Sequence, residues 1–280
     1  MTKNIEKEPS TRINAIPGVQ LDADDIPRPV VVRVTTLERG QSVPTHAHAR
    51  AQLVYAAEGV VTVATPSGIW VAPPSRAVWV APDVEHSVRA SSRAVMNNLF
   101  LVPALARQLA LPSCCVVAVP DLLRTLLAHG AQMPTLYEET GPDGRIVGVI
   151  VDQIRILKTQ PLHLPAPSDP RLKIIADALI ANPADKRTLA QWARVSGAST
   201  RTLARLFPRQ TGMNFAQWRQ QARLLEALRR LAHKQPVTTI ALDLGYDSPS
   251  AFIAIFKKAM GATPGKYFDG APASARKRHT

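Results

Sequence analysis

The chain has 280 residues, 46% of them hydrophobic and 20% charged, enough for two domains with a core each. Its formal net charge of +13 is confined to one end: residues 171–280 carry 19 Lys and Arg against 6 Asp and Glu, whereas residues 1–170 carry 15 of each. No apolar run approaches the roughly 20 residues that span a bilayer, and Met1–Ser10 is polar without the apolar stretch of a signal peptide; the sequence therefore predicts a cytoplasmic protein whose neutral half is joined to a polyanion-binding half.

Residues 1–27 read as a polar lead-in. Residues 28–102 read as short strands broken by turns. Val30–Leu37, Gln52–Tyr55, Val60–Thr65, Ile69–Ala72 and Ala77–Val80 are β-rich, and Gly40, Pro44, Gly59, Pro66-Ser67-Gly68 and Pro73-Pro74 separate them. This pattern predicts a β-sandwich or small barrel, with Tyr55, Trp70 and Trp79 in its core. His46 and His48 are two apart, so on a strand they share one side. Gln52 follows four residues later, and His86 lies on a later β-rich segment after Pro82-Asp83.

Gly40, His46, His48, Gln52 and Gly59 together resemble the first cupin motif, with Gln52 where the metal-binding cupins usually have Glu. In the second motif Asp83 stands at the usual glycine, and nothing polar matches the late asparagine. The resemblance implies a cupin-like barrel over about residues 30–100. It leaves open what His46, His48, Gln52 and His86 hold. Three imidazoles and one oxygen suit Zn, Fe, Ni or Mn, although losing the carboxylate lowers metal affinity. An organic effector without metal, or no ligand at all, stays open beside that.

Residues 103–159 read as a helical dimerisation and linker region. Leu122, Leu123, Leu126 and Leu127 mark one amphipathic helix, and Ile146, Val149, Ile150, Gln153, Ile154 and Leu157 mark a second, from about Pro142. The second is core or a subunit seam; a seam is preferred, because sequence-specific DNA readers often pair. Cys114 and Cys115 read as reduced thiols, with redox sensing as a lesser idea. Prolines 161, 165 and 167, with Pro170 just beyond, make residues 160–169 an extended spacer.

Asp169-Pro170 is a helix start, a capping side chain followed by Pro at the first helical position. Beyond it a helix-turn-helix pattern occurs twice, over 188–209 and 238–259. Ser199, Leu203, Phe207 and Gly212 recur 49 residues later as Ser248, Phe252, Phe256 and Gly261. Thr188 and Gln191 form a capping box. Arg201 and Arg205 share the face opposite the apolar stripe, where arginine pairs with guanine or clamps phosphates. Pro208 is expected to kink or shorten that helix and to turn Arg209 towards the DNA backbone. A long helix from Asn214 separates the two heads, with Arg219, Arg223, Arg229 and Arg230 on its polar face.

The run Ala241-Leu-Asp-Leu-Gly245-Tyr246-Asp-Ser248-Pro-Ser250-Ala-Phe252-Ile-Ala-Ile-Phe256-Lys257, continuing to Gly261, Thr263-Pro264 and Tyr267, resembles the signature of the AraC/XylS family of transcriptional regulators. The likeness covers about residues 170–270. It implies an all-α, seven-helix domain with both recognition helices in successive major grooves. It carries base readout to Arg201, Ala204 and Arg205 in the first head and to Ser250 and Ala254 in the second. Ile253 and Ala254 are poor readers, so the second head is expected to grip backbone through Lys257, Lys258 and the helix start at Ser248.

The whole chain thus reads as a non-enzymatic regulator under effector control. The implied partners are double-stranded operator DNA, a small-molecule effector, RNA polymerase and a second copy of the chain, with no membrane. No cofactor is certain, and a divalent metal stays open. A metal-dependent cupin enzyme with a DNA-binding tail, or a constitutive DNA binder that uses the cupin only to dimerise, are the alternatives. Residues 271–280 form a basic tail.

Overall fold

A computed structural model describes residues 23–268. The expected lead-in up to residue 22 and the basic tail 271–280 lie outside the described residues.

The N-terminal half is built on two antiparallel sheets. One has the order β1-β8-β3-β6-β9-β10 and the other β11-β5-β4-β7-β2. The strands are β1 Val30–Leu37, β2 Ser42–His46, β3 Ala51–Glu58, β4 Val61–Thr65, β5 Gly68–Ala72, β6 Arg76–Val80, β7 His86–Ala90, β8 Ala94–Leu101, β9 Cys114–Ala118, β10 Thr159–Gln160 and β11 His163–Pro165.

The central strands β3, β6, β8 and β9 of the larger sheet are buried on both faces. Val54, Val78, Val80, Met96 and Val116 fill the barrel interior. Leu53, Tyr55, Trp79, Leu99 and Val117 alternate with them and point outward, under α1 Pro103–Leu109, α2 Asp121–Gly130 and α3 Pro142–Arg155. The apolar stripe of α3 is used here: Val147, Ile150, Val151 and Ile154 are buried against this sheet, and only Val149 of that helix is an exposed large hydrophobic, at 43%. The expected subunit seam is therefore mostly core. Residues 103–159 are also not all helical, because β9 completes the sheet by pairing with β6.

The expected spacer is extended but not free. β11 pairs with β5, Trp70 opposite His163 and Ile69 opposite Leu164. The Trp218 Nε1–H donates to the Pro165 carbonyl at 2.9 Å, and the Gln221 amide donates to the carbonyls of Pro161 and His163. The segment is an added strand clamped on its far side by the helical half.

That half holds α4 Pro170–Ala181, α5 Leu189–Val195, α6 Thr200–Thr211, α7 Phe215–Ala232, α8 Val237–Asp243, α9 Pro249–Met260 and α10 Pro264–Tyr267. The caps lie where the sequence places them. Asp169 accepts from the Arg171 N–H, and the Thr188–Gln191 and Asn214–Gln217 boxes both close. Phe207, Trp218, Leu228, Phe252 and Phe256 form one core beneath both heads. Pro208 does not shorten α6, which runs three residues past it and ends at Gly212 in the left-handed region, φ +69°. The Thr211 hydroxyl donates to the Phe207 carbonyl within that last turn.

Candidate functional site

The two heads present their reading faces to solvent. On α6, Leu203, Leu206 and Phe207 are buried, while Arg201, Ala204, Arg205 and Arg209 are exposed. On α9, Phe252 and Phe256 are buried, while Ser250, Ala254, Lys257 and Lys258 are exposed. The 3.6-residue period that buries the stripe at 203, 206 and 207 forces 201, 204 and 205 outward. Ser248 is half-buried, and its hydroxyl accepts from the Ala251 N–H as the cap of α9. Its part in any anion contact lies in placing that helix start.

The arginines of α7 do something else. Arg219 donates to the Arg187 carbonyl, Arg223 to the Pro183 carbonyl and Arg229 to the Thr62 hydroxyl, while Arg230 bridges Glu226 and Asp243. These four brace the helix against its neighbours, including β4 of the barrel. Among the described residues, α6 and α9 both keep basic side chains open to a polyanion.

The other cluster lies at the barrel mouth. His46 ends β2 and pairs directly with His86 at the start of β7, across a register shift between Val43 and His46. His48 lies two residues past the end of β2, just before the bend at Ala49–Arg50, and the Asp83 N–H donates to its carbonyl at 3.0 Å. Asp83 takes φ +62°, the left-handed conformation for which glycine is usual, without being glycine. The ligand atoms of His46, His48 and His86 all lie within 4.8 Å of one another. Gln52, on β3, sets its Oε1 at 3.1 Å from His48 Nε2 and 3.0 Å from His86 Nε2.

Sequence reasoning found these four residues but missed what aims them. Each Nδ1 lies against a backbone carbonyl: His46 on Pro44 at 2.8 Å, His48 on Arg50 at 2.7 Å and His86 on Val84 at 2.8 Å. Phe100, opposite Gln52 in the β3–β8 register, puts its ring edge-on to His48 with centroids 5.4 Å apart. Burial holds the His86 imidazole down to about 4, with the other two imidazoles adding to the effect, so it is neutral at ordinary pH.

Tyr55, Trp70 and Trp79 are core, as expected. The two cysteines are free, and successive strand positions point them to opposite sides of the sheet. Burial pushes both thiols up, Cys115 to about 11, which suppresses the reactive thiolate. Redox sensing gains nothing from this geometry. No helix among the described residues is long and apolar enough to cross a membrane.

Residues 28–147 match the family described as an AraC-like ligand binding domain, and residues 192–270 match a helix-turn-helix domain. The HTH-type transcriptional regulator NimR of Escherichia coli K12 is 36% identical over 225 residues, 80% of this chain and 81% of that one. The HTH-type transcriptional regulator RipA of Corynebacterium glutamicum is 34% identical over 106 residues, 38% of this chain and 32% of that one. Among solved structures, ToxT from Vibrio cholerae O395 aligns with a TM-score of 0.38 at 11% identity, over 88% of this chain and 99% of that one.

A ligand-binding barrel joined to a double helix-turn-helix unit defines a class, that of DNA-binding transcription regulators with an attached sensor fold. Within that class, the chain belongs to the AraC/XylS family of transcriptional regulators.

Proposed function

We propose that the chain reads a split operator with α6 and α9, and that a small molecule held in the barrel controls this binding. In this reading Arg201 and Arg205 supply most of the base discrimination, with Ala204 packed beside them and Arg209 on a phosphate. Ser250 and Ala254 contribute little, and Lys257, Lys258 and the start of α9 hold backbone. The observation that carries the reading is the outward projection of these side chains from two helices over one core. α7, 18 residues long, spans about 27 Å between them, close to the roughly 34 Å of one DNA turn.

Control by an effector is supported by the way the halves meet. α7 touches β11 and β4, so a shift in the barrel sheet bears on the helix between the heads. Pairing of two copies belongs to the same reading, since half-sites and dimers go together in such regulators.

The test is selection of bound sequences from a random DNA pool with the full chain at about 150 mM salt, because phosphate contacts make affinity salt-dependent. Two short enriched blocks about one turn apart are expected. A single block, or none with or without added metal and metabolites, overturns the double reader.

A further inference from the structure

We propose that Gln210 couples the barrel to the first reading head, by tying the last turn of α6, which carries Arg209, to the chain that leaves β11. This rests on reading α6 as a DNA-contacting helix. It names the positioning residue through which that helix and the barrel bear on each other.

The Gln210 amide oxygen takes two backbone donors from the linker, the Asp169 N–H at 2.9 Å and the Ser168 N–H at 3.0 Å, with the Ser168 hydroxyl at 3.4 Å. Two N–H donors identify the amide atom they meet as the oxygen. The Asp169 carboxylate is turned elsewhere, to the N–H and guanidinium of Arg171 at the start of α4. Asp169 is therefore held at once by α4 and by α6.

On the barrel side the tether is short. The Ala166 N–H donates to the Ser67 carbonyl at 3.0 Å, and the Val71 N–H to the Leu162 carbonyl at 3.2 Å. Between Ala166 and Ser168 stands only Pro167, which is buried and whose ring fixes φ. A single residue of that kind passes a displacement on rather than absorbing it. β11 also reaches the barrel core. The His163 ring stacks on Trp70, Trp70 is in register with Val63, and Val63 with Val88, all three buried. A change in the barrel that moves this row moves the strand that leads to Gln210.

On the DNA side the last turn of α6 is the part least tied to its own helix. Pro208 has no N–H, so the bond to the Ala204 carbonyl is missing. Thr211 and Gly212 hold the far end of the turn, through the carbonyls of Phe207 and Pro208. Within it Arg209 is exposed and Gln210 meets the linker. A phosphate gripped by Arg209 restrains its neighbour Gln210, and through it Ser168 and Asp169. Gln221 also clamps β11, at the carbonyls of Pro161 and His163. That clamp comes from α7, whose arginines are turned to other parts of the chain, so its hold does not depend on DNA.

The experiment uses the full chain with and without a saturating operator duplex taken from the selection. Hydrogen exchange is followed by mass spectrometry in peptides covering residues 66–72 and 162–168. Operator should slow exchange there by about fivefold or more, the low end of coupling between sites. Gln210→Met keeps the length and helix propensity of the side chain but lacks the amide oxygen. It should melt as the wild type does and lose the operator-dependent slowing; Gln210→Ala is a second variant with the same expectation. Gln210→Glu keeps an acceptor and should retain the slowing. Gln221→Met should speed exchange with and without DNA and leave the ratio between the two states in place. Exchange unmoved by operator in the wild type, or slowing that survives in Gln210→Met and Gln210→Ala, overturns the coupling. So does its loss in Gln210→Glu, or a loss in Gln221→Met as complete as in Gln210→Met. A chain that selects no operator fails earlier, at the reading of α6 itself, and the coupling falls with it.

Discussion

Arg201 and Arg205 lie one helical turn apart on the open face of α6, whereas the arginines of α7 are committed to carbonyls and carboxylates within the chain. Replacing Arg201 or Arg205 by Ala should weaken operator binding by about 1–3 kcal/mol and flatten the preference at one position. Ser250→Ala should change little, and anisotropy titrations at one fixed salt will show whether the ranking holds. Equal losses at 250 and 201 would sink it. Gly245 is constrained by contrast: it has φ +75°, and a Cβ there would stand 2.8 Å from the Ala184 carbonyl oxygen. Gly245→Ala should therefore cost about 1–3 kcal/mol of stability, read as a lower denaturant midpoint. At this scale the sequence is informative wherever a residue type has few uses. The histidines, Gln52 and the exposed arginines are legible for that reason. The carbonyls that orient each imidazole are not, because every residue has one: each lies only two residues from its histidine, and the local backbone path decides which neighbour it is.

The helices were easier to read than the strands. Caps, capping boxes and the 3.6-residue stripe are local signals, so α5, α6 and α7 begin where Thr188, Ser199 and Asn214 predict. Thr188→Ala removes the acceptor for the Gln191 N–H, and a loss of about 1 kcal/mol is expected. Thr188→Asp should keep most of it, and urea melts of both variants provide the check. Pro208 does not end the helix because its missing N–H costs one bond, which the surrounding core tolerates: Leu206 and Phe207 are buried just before it and Thr211 just after. β8 and β9 were invisible for other reasons. Asn97-Asn98 interrupts the β-rich composition of β8. β9 is a short apolar run between two helices, and periodicity alone does not separate a buried strand from buried helix in so few residues. Its identity is decided by the free edge of β6, which is long-range information.

At the scale of the molecule, charge asymmetry and repeat spacing gave the two halves, but not the way they join. The proline count in 160–169 describes a stretched chain correctly and says nothing of what it lies against. His163 shows the consequence. Its ring stacks on Trp70 with 17° between planes, and burial lowers its pKa. The unfolded chain therefore takes up this proton more readily than the folded one. The stability His163 contributes is complete above the ordinary histidine value of about 6.5 and is lost as pH falls below it. His86 and His233 shift the same way, so the decisive reading is a difference. Between about pH 7.5 and about pH 5.5 the wild type should lose more stability than His163→Gln. Parallel curves would refute the assignment.

The pairing of β11 with β5 also bears on how such regulators can be recombined. A chimaera cut at the prolines near residue 160 would separate the sensor from the strand that covers β5. The grafted barrel would then carry a bare sheet edge, a template for aggregation, and the new reading heads would arrive with a strand that has nowhere to dock. Cutting at Asp169 instead keeps β11 with its barrel and leaves the cap of α4 at the seam. For modular exchange the unit to move is the sensor together with its proline-rich segment.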